Sequence, residues 1–157
     1  MQFVVFRLDK QRYALPLAAV ERVVRAVEVT PLPNAPPIVL GAIDFHGRVL
    51  PVLDVRRRFL LPERQVRHED WFLLARLTRY TVVLAVDESE GVIERSEDDI
   101  VVSTRIAPGL DYFPGVVRLD DGLVLIHDLE RFLSLDEART LDDAMEQRPA
   151  MWRQGCD

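Results

Sequence analysis

Apolar and polar positions along this chain change over in short blocks, and turn residues punctuate them at a spacing that suits strands better than long helices. Residues 38–59 are the most informative block. Two apolar runs, 38–45 and 49–53, flank His46-Gly47, a two-residue connection whose glycine supplies the positive φ of a tight hairpin. Asp54 follows, and its carboxylate can accept from the N–H groups of a turn, so residues 55–59 are predicted as a short helix. Upstream, residues 3–8 and 12–15 predict a hairpin across residues 9–11. Pro16 lacks an N–H and ends that pairing, which leaves residues 17–20 for a helical turn and 22–29 for a strand. Leu17, Val20, Val23, Val24 and Val27 also fall at helical spacing, so a helix over residues 17–27 is the alternative; the valines favour the strand.

Four prolines in residues 30–37 predict a stiff extended crossing, and the polar residues 61–70 a mobile loop. Residues 71–77 and 80–86 form a second expected hairpin across Thr78-Arg79. A turn over 87–91, a short strand over 92–95, an acidic turn over 96–99, a strand over 100–103 and a Pro108-Gly109 turn follow. Residues 115–119 and 123–127, flanking Asp120-Asp121-Gly122, make a strong hairpin signal. Ser134 to Glu137 fits a capping box for a helix over residues 135–147, with Leu135, Ala138, Leu141, Ala144 and Met145 on one face. Pro149 stops it, ahead of a frayed tail holding Trp152 and Cys156. An internal echo points to a doubled architecture: residues 50–55 with Arg57 align on residues 124–129 with Arg131, repeating strand, Asp cap and Arg in one frame.

Composition narrows the function classes. A length of 157 residues suits one domain or two small lobes, and 48% hydrophobic residues are ample for a core. A net charge of −6 argues against a nucleic-acid or anionic-membrane surface. No apolar run approaches the ~20 residues of a spanning helix and no signal pattern follows Met1, so a cytoplasmic protein without direct membrane insertion is expected. The lone Cys156 leaves no internal disulfide and no basis for a zinc cluster. Neither a phosphate-binding glycine loop nor a Cys/His cluster at ligand spacing occurs, and His46, His68 and His127 are far apart. No cofactor, metal or catalytic residue is expected. The run Arg56-Arg57-Arg58, with Arg64, Arg67, Arg76 and Arg79, is either a solvated face or a docking surface.

Four motifs in order carry a resemblance: YALPLAAVERVVR (13–25), TPLPNAPP (30–37), GAIDFHGRVLPVLDVRRRF (41–59) and GLVLIHDLERFLS (122–134). Together they resemble the CheW-like adaptor family of bacterial chemosensory systems over about residues 3–134. The resemblance implies a mainly β fold of two small five-stranded SH3-like β-barrel lobes packed together, with short helical turns and a C-terminal helix. It divides the chain into a domain over residues 1–134 and a helix and tail over 135–157. It also implies a non-enzymatic adaptor coupling a chemoreceptor cytoplasmic tip to the regulatory domain of a CheA-type histidine kinase. A divergent module that no longer couples the two and acts as a regulatory scaffold is the alternative.

By the same resemblance the partner-binding residues are Val20, Arg22, Asp44, His46, Gly47, Arg48 and Arg57. Three of these, Arg22, Asp44 and His46, depart from the family pattern in charge. Where the family has Asn-x-Arg-Gly this chain has Asp44-Phe45-His46-Gly47, and where it has Val-x-Glu this chain has Val20-Glu21-Arg22. His46 is then a conditional cation in place of a permanent one, and Arg22 a cation in place of an anion. Such changes alter electrostatic complementarity and therefore partner choice.

Overall fold

The computed structural model describes residues 1–78, 80–102, 115–119, 122–126 and 135–146. Among the described residues the fold is mainly β, with eleven strands in two sheets. In chain order the strands are β1 (Gln2–Leu8), β2 (Gln11–Pro16), β3 (Val20–Arg25), β4 (Val39–Phe45), β5 (Arg48–Leu53), β6 (Trp71–Arg76), β7 (Thr81–Val86), β8 (Glu88–Glu94), β9 (Ile100–Val102), β10 (Gly115–Leu119) and β11 (Gly122–Ile126). Helix α1 (Val55–Arg58) follows β5, and α2 (Leu135–Glu146) comes last.

One sheet has six strands in the order β8-β1-β2-β11-β10-β9, the other five in the order β3-β6-β7-β5-β4. The chain therefore starts in the first sheet, builds the second, and returns. Each sheet joins two antiparallel hairpins through one parallel contact, β2 with β11 in one and β7 with β5 in the other. That is the doubled architecture which the internal echo predicts, although Asp128 and Arg131 of the echo lie outside the described residues.

The expected five strands per lobe become six and five. The residues read as a turn over 87–91 are the correction: apart from a bend at Asp87, they belong to β8, which pairs with β1 along most of its length. Gly91, at φ 91°, accommodates the register shift there, so a glycine read as a turn signal serves a bulge inside a strand. Strand β3 ends at Arg25, short of the expected Val29. The helical turn before it spans Leu17–Ala19, and the helix over 17–27 does not form.

The central strands are buried on both faces, which is why residues 3–6 of β1, 71–75 of β6 and 82–86 of β7 are unbroken apolar runs. Val4, Phe6, Leu8 and Leu15 meet Leu53, Leu73, Val82 and Leu84 in a core shared by the two sheets. The opposite faces build separate cores, Phe3, Val5, Ala14, Val117, Val124 and Ile126 in one lobe and Ile43, Leu50, Val52, Phe72, Leu74 and Val83 in the other. Helix α2 docks Leu141 and Ala144 on Leu32, as its apolar face predicts. Its expected Ser134 cap lies outside the described residues, as do the Pro108-Gly109 turn, His127 and the tail.

The proline-rich crossing is not uniformly extended. Turns at residues 33–34 and 37–38 fold it back, and Thr30 bridges Ala42 through two hydrogen bonds of 2.9 and 2.8 Å. Gly41 is required beneath that bridge, because a Cβ there would overlap the Thr30 carbonyl oxygen.

Candidate partner-binding site

The tip of the β4–β5 hairpin is built as its sequence demands. His46 and Gly47 both have positive φ, 51° and 85°, the combination that lets a two-residue turn match the twist of its strands. The Gly47 N–H donates to Asp44 Oδ1 at 2.9 Å. Asp44 therefore caps the turn while it remains exposed at the tip.

Strands β3 and β4 are opposite edges of the five-stranded sheet, yet the sheet curls until their side chains meet. A bulge in β3 makes the meeting possible. Val20 pairs with Ala75 and Arg22 with Leu74, so Glu21 is the extra residue and two successive side chains, Glu21 and Arg22, face solvent. The Arg22 guanidinium lies over the Phe45 ring, 5.7 Å from its centroid, within cation–π range. His46 packs edge-on against the same ring at 4.4 Å.

Glu21 meets Arg48 from the far side of the hairpin. Arg48 Nη1 donates to Glu21 Oε1 at 2.6 Å and Nη2 to Thr81 Oγ1 at 3.1 Å, while Thr81 donates to Glu21 Oε2 at 3.3 Å. The Arg48 hydrogen bond is the main reason the Glu21 carboxyl sits below the usual carboxylate range; burial opposes it, and the Arg48 charge, Thr81 and the Arg76 charge add to the lowering.

Of the seven expected site residues, Arg22, Asp44, His46, Gly47 and Arg48 come together at this tip. Val20 sits at the start of β3, half-buried and packed on the shared core, with its side chain away from the exposed patch. Arg57 is elsewhere: it is exposed on α1, beyond the other end of β5, and pairs with Glu63 at 3.3 Å. The expectation missed Glu21, Phe45 and Thr81. Glu21 had a legible signal, an acid one residue before the position where the resemblance implies one; nothing in the sequence marked Thr81.

Of the arginines expected as a solvated face or a docking surface, three, Arg56, Arg58 and Arg64, are paired within the protein; Arg57, Arg67 and Arg76 are exposed, and Arg79 lies outside the described residues. Arg56, with an 8% exposed side chain, bridges Asp9 Oδ1 at 2.7 Å and Asp87 Oδ2 at 2.6 Å, joining α1 to the β1–β2 turn and to the β7–β8 junction. Arg64 grips both oxygens of Asp70 at 2.8 Å and reaches Asp87 Oδ1 at 2.5 Å. Arg58 pairs with Glu137 of α2. Burial pulls against the Asp87 carboxylate, but the Arg56 hydrogen bond, the Asp9 N–H and the Arg56 and Arg64 charges hold its pKa below the ordinary value. The residues expected as a mobile loop, 61–70, are thus tied to a seam between the sheets.

Among the described residues no group of His, Cys, Asp and Glu side chains has the geometry to hold a metal ion, and no helix is long and apolar enough to cross a membrane.

Comparisons with known proteins give a consistent result. A family model described as CheW-like domain matches residues 2–137. The chain is 25% identical to a chemotaxis protein CheW of Treponema pallidum, over 89% of this chain and 86% of that one. It is 27% identical to one of Rhizobium meliloti, over 87% and 89%. The fold superposes on the crystal structure of scaffolding protein TtCheW from Thermoanaerobacter tengcongensis with a TM-score of 0.78 and 25% identity, covering 87% of this chain and 94% of that one.

Proposed function

We propose, from the premise that this chain belongs to the CheW-like domain family, that it is a non-enzymatic chemotaxis scaffold which couples a chemoreceptor cytoplasmic tip to the regulatory domain of a CheA-type histidine kinase. The observation that carries the reading is the exposed tip of the β4–β5 hairpin, where Arg22 and His46 both pack against the Phe45 ring and Arg48 is paired with Glu21 and Thr81. Stacking orders the side chains before a partner arrives, so less conformational freedom is lost on binding. A cation at Arg22 favours an acidic counterpart.

Titration calorimetry against a receptor-tip fragment and a kinase regulatory domain tests the coupling. Binding to both is expected. His46→Arg should strengthen whichever contact uses the tip, by a fraction of the ~1.5–3 kcal/mol of a charge-assisted hydrogen bond. Arg22→Glu should weaken it about tenfold without lowering the melting temperature, since both side chains are exposed. Binding to neither partner would sink the proposal.

The second reading, a regulatory scaffold that no longer couples, is favoured by one observation: at the tip Arg22 is a cation where the resemblance implies an anion, and His46 a conditional cation where it implies a permanent one. Binding to one partner and not the other would select it.

A further inference from the structure

Residues 61–70 cross one end of the five-stranded sheet without regular structure. Val66 rests on the Ile43–Leu50–Phe72 core, and residues 65–69 face Ala26, Val27, Glu28, Val29 and Leu40 across a groove of about 770 Å³. Among the described residues no backbone hydrogen bond joins residues 62–69 to a strand; the Ala26 N–H reaches only Asp70 O, at 3.0 Å, where β6 is about to begin.

What holds the segment is charge. Arg64 clasps Asp70 with two 2.8 Å hydrogen bonds and also donates to Asp87. Arg56 donates from Nη1 to Pro62 O at 3.1 Å and from Nη2 to the other oxygen of Asp87. Asp87 is therefore shared between the arginine of the segment and the arginine of α1, and Asp70 Oδ2 accepts the Arg67 N–H at 2.8 Å. A covering segment fixed by a few side-chain contacts and by almost none of the sheet's backbone ladder belongs to the low-stability end of a fold.

We propose that residues 61–70 are a latched strap: the Arg56–Asp87–Arg64–Asp70 network keeps it closed over the end of the sheet's core, and it opens as a unit while both sheets stay folded. Opening uncovers Ala26, Val29 and Leu40. The device is independent of the hairpin tip, so its test stands whatever partner that tip binds.

Amide hydrogen exchange on the full chain reads it out. The reporters are the N–H groups of Ala26, Arg67 and Asp70, each bonded to or within the strap; Leu73 and Val83, in central strands, report the sheet. In Arg64→Met, which keeps the apolar stem and removes the clasp, the three strap amides should exchange at least tenfold faster, the sheet amides should not change, and an apolar dye should gain fluorescence. Arg64→Lys, with one charge but no fork, should fall between. Equal acceleration of strap and sheet amides, or none at either, would overturn the proposal. Should Arg64→Met fail to fold, the wild-type protein decides it: exchange of the strap amides must show a smaller denaturant dependence than that of Leu73 and Val83, and identical dependence refutes the strap.

Discussion

Arg48 and Arg56 stand eight residues apart in one segment and have opposite tasks. Arg48, with a side chain 46% exposed, pairs with one carboxylate and a hydroxyl at the hairpin tip. Arg56, at 8%, is enclosed between the sheets and satisfied by Asp9, Asp87 and the Pro62 carbonyl. Water and salt screen the first pair, which fixes orientation more than it stabilises. The second group lies where removing one member strands the others, so it works as a structural joint between the sheets. Phe59, stacked 4.6 Å from Tyr13, reinforces the same joint. A count of arginines or ion pairs would treat the two regions alike; burial and the number of satisfied donors separate them.

The contrast is sharpest in Arg56→Met. Loss of a cation facing two carboxylates should lower stability by about 3 kcal/mol, read as a shift of the urea midpoint; an unchanged midpoint would erase the distinction between seam and tip. At the tip, the backbone should matter more than the charges. Gly47→Val forces a β-branched residue into positive φ and should lower stability by ~1 kcal/mol or more, measurable in the same titration.

Acid should act on the seam in the direction set by Asp87. Its folded carboxyl titrates below the ordinary value of 3.8, so its contribution is present above that pH and is lost as pH falls through the lowered value. Melting temperature followed from pH 6 down to about 2.5 should therefore fall less steeply in Arg56→Met than in the wild type. Parallel curves would mean that Asp87 does not sense Arg56. The smallest effect is expected for Arg48→Ala, whose exposed pair with Glu21 contributes under ~1 kcal/mol. A loss as large as that of Arg56→Met would show that the tip, too, is a structural joint.

Much of the fold was legible because strands advertise themselves locally. His46-Gly47 and the apolar runs around it place a hairpin, Asp54 caps α1 by accepting from the Arg57 N–H at 3.2 Å, and Leu141 and Ala144 mark the buried face of α2. Reading was less secure where a residue has two uses. Gly91 signals a turn as readily as a bulge, and only the demand of β1 for a partner along its edge resolves it. Val27 and Val29 suit a strand, but past Arg25 the chain leaves β6, and the Thr30 bridge to Ala42 draws it toward β4 instead.

Periodicity, turn chemistry and capping act over a few residues, so the sequence by itself determined the mainly β class, the hairpins, both helices and the turn that presents His46. Which arginine is buried depends on groups that meet only after folding. Asp9 and Asp87 are 78 residues apart yet share a 2.7 Å hydrogen bond and Arg56. Arg22 and Phe45 come from opposite edges of a sheet and meet because that sheet curls and a bulge turns Glu21 and Arg22 to the same side. Long-range electrostatics and sheet curvature leave no local pattern in a sequence, and it was tertiary structure that made one arginine cluster a joint and the other a surface.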